Sequence, residues 1–103
     1  MMFEVITRPE AKKDLYEIFR YISEELFSPQ SALKLLDEIE SEILGLKTMP
    51  KRFPLISDEA FADKGFRLMP VKNYLVFYVV DEQTKTVNIL SVMYNRRDWG
   101  NLL

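Results

Sequence analysis

A chain of 103 residues, 48% apolar and 29% charged, suits a single compact domain with one modest core and excludes a disordered or fibrous protein. Cysteine and histidine are both absent, which excludes disulfides, thiolate chemistry, histidine-dependent triads and the usual zinc sites. The net charge of −2 argues against a general nucleic-acid coat, but residues 1–46 carry five Lys/Arg against ten Asp/Glu and residues 47–103 nine against six, so a positive patch is expected in the second part.

The chain opens without a basic region and apolar core of the signal-peptide kind, and no stretch reaches membrane-spanning length, so a cytoplasmic protein with no membrane partner is expected. Residues 3–6 (Phe-Glu-Val-Ile) are β-prone and run into Thr7-Arg8-Pro9-Glu10, a capping-box pattern in which Thr7 would cap a helix that tolerates Pro9 in its first turn. Ala11, Leu15, Ile18, Phe19, Ile22 and Leu26 then mark one apolar helix face. Ser28-Pro29 repeats the start signal, so the first helix should stop near Phe27 and a second should fold back on it. The stripe of that second helix is Ala32, Leu36, Ile39, Ile43 and Leu46, and the helix should end before Pro50.

From Met49 to Lys64 periodicity is lost and two prolines intervene, the pattern of a long functional loop. Three strands follow, Gly65 to Val71, Tyr74 to Val80 and Thr86 to Tyr94, joined by turns short enough for an antiparallel meander. Both faces of the middle strand are apolar. A helix hairpin covers only one face of a sheet, so the other is either partly exposed or shielded by a loop, the tail or a partner. The expected fold class is α+β in the order β-α-α-β-β-β, over a single domain of residues 1–103.

No nucleophile motif or phosphate loop is present, and the carboxylate pairs Glu24/Glu25 and Asp37/Glu38 lie opposite the apolar stripes, as a solvated face would. No metal or cofactor is expected. What remains is basic and aromatic: Lys51, Arg52, Arg67, Tyr74, Arg96, Arg97 and Trp99 are the candidate target-binding residues, arginine forks for phosphate or carboxylate and rings for stacking. An ion pair with a helix carboxylate is the competing role for Arg67, and a core role for at least one of Tyr74 and Tyr78.

The runs Thr7-Arg8-Pro9-Glu10-Ala11-Lys12-Lys13-Asp14-Leu15, Pro50-Lys51-Arg52-Phe53-Pro54, Gly65-Phe66-Arg67, Asn73-Tyr74-Leu75-Val76-Phe77-Tyr78 and Tyr94-Asn95-Arg96-Arg97-Asp98-Trp99, in this order, resemble the RelE/ParE superfamily of type II toxin–antitoxin and plasmid-stabilisation toxins. The resemblance implies a growth-inhibiting toxin wrapped by the C-terminal segment of a cognate antitoxin. It also implies two mechanisms. ParE-like members inhibit DNA gyrase through a binding surface. RelE-like members are metal-independent endoribonucleases that cut mRNA on the ribosome, a role in which Arg67, Arg96 and Tyr94 would serve as phosphate clamp and acid. RelE-like enzymes place an arginine where this chain has Tyr74, so the sequence leans to the ParE side. A degenerate, non-toxic antitoxin-binding protein is the third reading.

Overall fold

In the computed structural model, residues 2–56 and 64–95 are described. Strand β1 (Glu4–Thr7) leads into helix α1 (Pro9–Arg20), which continues as one π-helical turn at Tyr21–Glu25. Helix α2 (Pro29–Leu44) follows and ends in a 3-10 turn, Gly45–Lys47. Strands β2 (Phe66–Val71), β3 (Tyr74–Asp81) and β4 (Thr86–Tyr94) complete the order β-α-α-β-β-β. The predicted strand limits hold to within one residue.

The sheet runs β1-β4-β3-β2. Its last three strands form the expected antiparallel meander, and β1 adds to it in parallel, Val5 opposite Val87 and Thr7 opposite Ile89. This pairing explains why Thr7 does not cap α1. Thr7 is held in the ladder, the chain leaves it at Arg8, whose N–H donates to the Ile89 carbonyl at 3.0 Å, and Arg8 is the N-cap residue without a side-chain cap bond. Pro9 occupies the first turn, where no amide donor is needed. Ser28 does precede α2 as predicted, but its hydroxyl donates to the Ser31 hydroxyl rather than to a backbone amide. The first helix keeps α-geometry only to Arg20. Past it the chain widens to the π-turn and reverses at Phe27, a bulky residue held at φ 52° and 87% exposed.

One core lies between the hairpin and the sheet. Ala11, Ile39, Ile43 and Leu46 from the helices meet Met69, Val71, Val76, Tyr78, Val87, Ile89 and Val92 from the strands. Of the predicted second stripe Ala32, Ile39, Ile43 and Leu46 are buried and Leu36 is half-buried, while Leu35 packs against the core; on α1 Leu26 departs from its stripe and is 55% exposed, because the π-turn and the reversal at Phe27 carry it off the helix face. On the far face Leu75 is buried and Leu68, Phe77 and Val79 are half-buried. Beside the sheet, Leu55 bridges Arg67 and the Ile56 amide donates to the Phe66 carbonyl, so the loop after α2 covers the start of β2's outer edge. Pro70, which has no amide donor, sits farther along that same edge.

Candidate functional site

Two clusters of candidate residues occupy opposite ends of the sheet. The first is built on the turn after α2. Arg67 in β2 is opposite Tyr78 in β3, so both side chains leave the same face toward this turn. The Arg67 Nη1 donates to the Phe53 carbonyl at 2.6 Å and to the Lys51 carbonyl at 3.4 Å, while the Tyr78 hydroxyl, fully buried, donates to the Pro50 carbonyl at 2.7 Å. Two neighbouring strands thus hold three carbonyls of one turn. That turn presents Lys51 and Arg52 outward, with Lys51 Nζ 2.6 Å from Glu82 and Arg52 Nη2 3.1 Å from Glu42. The Arg52 guanidinium also lies 4.9 Å from the centre of the Phe53 ring. Both cations remain substantially exposed, so these pairs contribute little to stability and are open to exchange for an external anion. The hydrogen bond from Lys51, followed by its charge, holds the Glu82 carboxyl below its ordinary range.

The second cluster lies where β3 begins and β4 ends. Tyr74 and Tyr94 are opposite each other and meet edge to face, centroids 5.5 Å apart and planes at 76°. They help line an open groove of about 910 Å³ between the helix hairpin and the strand ends, with Ile18, Tyr21, Leu26 and Leu35 as its apolar wall. Asp14 borders this groove. Its Oδ2 accepts from the Ser91 hydroxyl and from the Val92 amide, both at 2.9 Å, tying α1 to β4.

The structure therefore brings Lys51, Arg52 and Arg67 together, and Tyr74 and Tyr94 together, but not Arg67 with Tyr94. Four residue pairs and two strand spacings separate those two, about 13 Å along the strands and about 10 Å across them. Arg96, Arg97 and Trp99 lie outside the described residues. Sequence reasoning missed Asp14, although the signal was present: it stands three residues after Ala11 and four before Ile18, on the apolar stripe, where a carboxylate needs donors. Tyr21 was not singled out and Leu26 was read as a helix position only, yet both are large, more than half exposed and in the groove wall. Among the described residues no group of acidic side chains is arranged to hold a metal ion.

Burial raises the hydroxyl pKa of both Tyr78 and Tyr74, with Arg67 partly opposing it at Tyr78 and Tyr94 reinforcing it at Tyr74. An acid whose folded pKa lies above its unfolded one stabilises the fold fully below the unfolded value, near 10, and loses that contribution as pH rises through the folded value. Chemical denaturation between pH 8 and 12 should show stability falling from about pH 10 upward. The slope should shrink in Tyr78→Phe; an unchanged slope in that variant would assign the effect to other groups.

Residues 5–99 match the model of a family described as the ParE toxin of the type II toxin–antitoxin system parDE. Among solved structures, a chain of the chromosomal ParDE system from P. aeruginosa is similar at 20% identity and TM-score 0.76, covering 92% of this chain and 98% of that one. A chain of the RelBE2 toxin–antitoxin complex from Mycobacterium tuberculosis is similar at 20% identity and TM-score 0.70, covering 92% and 93%. A mutant E. coli RelE toxin in the free state is similar at 12% identity and TM-score 0.64, covering 97% and 90%. No curated protein sequence matches the chain.

Proposed function

The chain belongs to the ParE toxin family of type II toxin–antitoxin systems, and from that premise we propose that it arrests bacterial growth by binding DNA gyrase through its basic turn, and that a cognate antitoxin holds it inactive. The observation that carries the choice of target is the separation of the two clusters. A ribonuclease that clamps a scissile phosphate with Arg67 and protonates the leaving group from Tyr94 needs both within hydrogen-bond reach of one phosphodiester. Arg67 instead spends one end of its fork on the carbonyls of Lys51 and Phe53, and Tyr94 stands at the far end of the sheet. A target-binding role makes no such demand. It requires a fixed surface, and the turn held by Arg67 and Tyr78 displays Lys51 and Arg52 as one. No helix among the described residues is long and apolar enough to cross a membrane.

The antitoxin part of the proposal is supported by the family and by the ParDE and RelBE2 likenesses, whose descriptions name toxin–antitoxin systems. The test of the target is a gyrase supercoiling assay with purified chain, paired with induction in cells without antitoxin. Inhibition of supercoiling and a DNA-damage response are expected, and Lys51→Glu with Arg52→Glu should weaken inhibition at least tenfold, about 1.4 kcal/mol of binding. Translation arrest with cleaved mRNA and intact replication would overturn the gyrase reading in favour of a ribosome-dependent endoribonuclease. Harmless overexpression with normal antitoxin binding would identify a degenerate, non-toxic partner.

A further inference from the structure

Beside the basic turn stands the connection from β3 to β4, and one of its side chains, Glu82, reaches across. Glu82 Oε1 lies 2.6 Å from Lys51 Nζ and Glu82 Oε2 lies 3.7 Å from Lys85 Nζ, so each oxygen of one carboxylate faces its own lysine, one from each turn. The backbone beneath Glu82 is fixed. Asp81 Oδ1 accepts from the Gln83 amide at 2.9 Å and from the Thr84 amide at 3.2 Å, and Lys85 is held in the left-handed region at φ 56°, its ammonium 5.3 Å from the centre of the Phe3 ring. The carboxylate itself is free to leave. All three side chains of the Lys51–Glu82–Lys85 group are about half exposed, and ion pairs of that exposure are held weakly against water and competing ions.

The surface around this group is self-neutralised. The three cations of the two turns, Lys51, Arg52 and Lys85, are matched by the three carboxylates Glu42, Asp81 and Glu82. A polyanion such as DNA gains little from such a surface, because its affinity comes from phosphates neutralised by cations that have no carboxylate of their own. A single carboxylate on a protein meets a different situation. When it takes the place of Glu82 between the two lysines, both cations keep a partner, Glu82 turns into solvent by rotation about its own side-chain bonds, and no backbone moves.

We propose that Glu82 is a placeholder, and that the two-lysine seat it fills receives an acidic side chain of the protein target. Lys85 thereby joins Lys51 and Arg52 as a contact residue, and the target surface spans both turns. Glu82 also sets specificity: it competes with every incoming anion, so a ligand whose negative charge is not delivered to a point between the lysines does not displace it. The inference rests on the gyrase reading of the preceding subsection and names the chemistry of the contact.

Removing a competitor strengthens binding, whereas losing a structural ion pair does not. In the supercoiling assay at low salt, Glu82→Gln should inhibit at a concentration about threefold below that of the parent chain, the scale of one exposed ion pair, and the gain should shrink as salt is raised. Lys85→Ala should inhibit about threefold more weakly. Glu24→Gln removes the same charge from the pair with Arg20, at the other end of the sheet from the two turns, and should match the parent. Binding of each protein to a labelled DNA duplex without gyrase is followed in parallel. Inhibition by Glu82→Gln equal to or weaker than that of the parent, or an equal gain in Glu24→Gln, overturns the placeholder and leaves the gyrase reading intact. A gain in Glu82→Gln that is matched by tighter binding to the duplex alone assigns the seat to phosphate and overturns the carboxylate. A parent chain that does not inhibit supercoiling overturns both the placeholder and the gyrase reading.

Discussion

Replacing Tyr78 with alanine should lower the unfolding free energy by about 3–5 kcal/mol, a large share of the about 5–15 kcal/mol that holds a domain of this size folded. Tyr78 is fully buried in the middle of the core, so truncation removes its ring from contact with both layers and leaves a cavity that the rigid sheet cannot close. Tyr78→Phe divides this loss. It keeps the ring and removes only the hydroxyl that donates to the Pro50 carbonyl, so it should cost about 1–3 kcal/mol, the range for leaving a buried acceptor unmet. Denaturant titration of both variants gives the two terms. If Tyr78→Phe proves as stable as the parent, the Pro50 carbonyl has found another donor, and the turn does not depend on the strand. A second readout tests the proposed function: by loosening the turn that carries Lys51 and Arg52, Tyr78→Phe should weaken the proposed gyrase inhibition while leaving the proposed antitoxin complex unchanged.

The second large effect is expected at Asp14. Asp14→Ala strands the Val92 amide and frees the Ser91 hydroxyl, and hydrogen bonds to a charged acceptor contribute about 1.5–3 kcal/mol. Asp14→Asn keeps an oxygen in place and should recover about half of the loss. Exchange of the Val92 amide is the decisive observation, since it should accelerate in the alanine variant more than exchange at Ile89, which remains beside β1. Uniform acceleration across β4 would show that Asp14 acts on global stability alone.

The hairpin and the meander were legible because their signals are local. The apolar stripes of α1 and α2 recur at helical spacing, and Lys72-Asn73 and the turn after Asp81 punctuate alternating runs. The parallel pairing of β1 with β4 was not. Residues 4–7 and 86–89 are some eighty positions apart, and nothing in four residues of β-prone sequence names a partner or a direction. That hidden pairing also defeated the capping-box reading of Thr7-Arg8-Pro9-Glu10, since a residue held in a ladder cannot turn its side chain to a helix end. The π-turn at Tyr21–Glu25 has no compositional sign, so Leu26 was placed on a helix face rather than in a groove and Tyr21 drew no notice.

For the site, sequence supplied the residue types but not their grouping. Lys51, Arg52 and Arg67 could be named as cations; that Arg67 holds the turn displaying the other two depends on where β2 passes it. Tyr74 and Tyr94 could be named as rings; that they face each other requires the register of β3 and β4.

The position of β4 bears on how the protein comes into being. Of the described strands, the last in sequence lies in the interior of the sheet, between β1 and β3, and the first has no other neighbour among them. During vectorial synthesis β1 must therefore wait, unpaired, until β4 has left the exit tunnel. A nascent copy that has not yet made β4 lacks the complete sheet and with it the groove that Val92 and Tyr94 help to line.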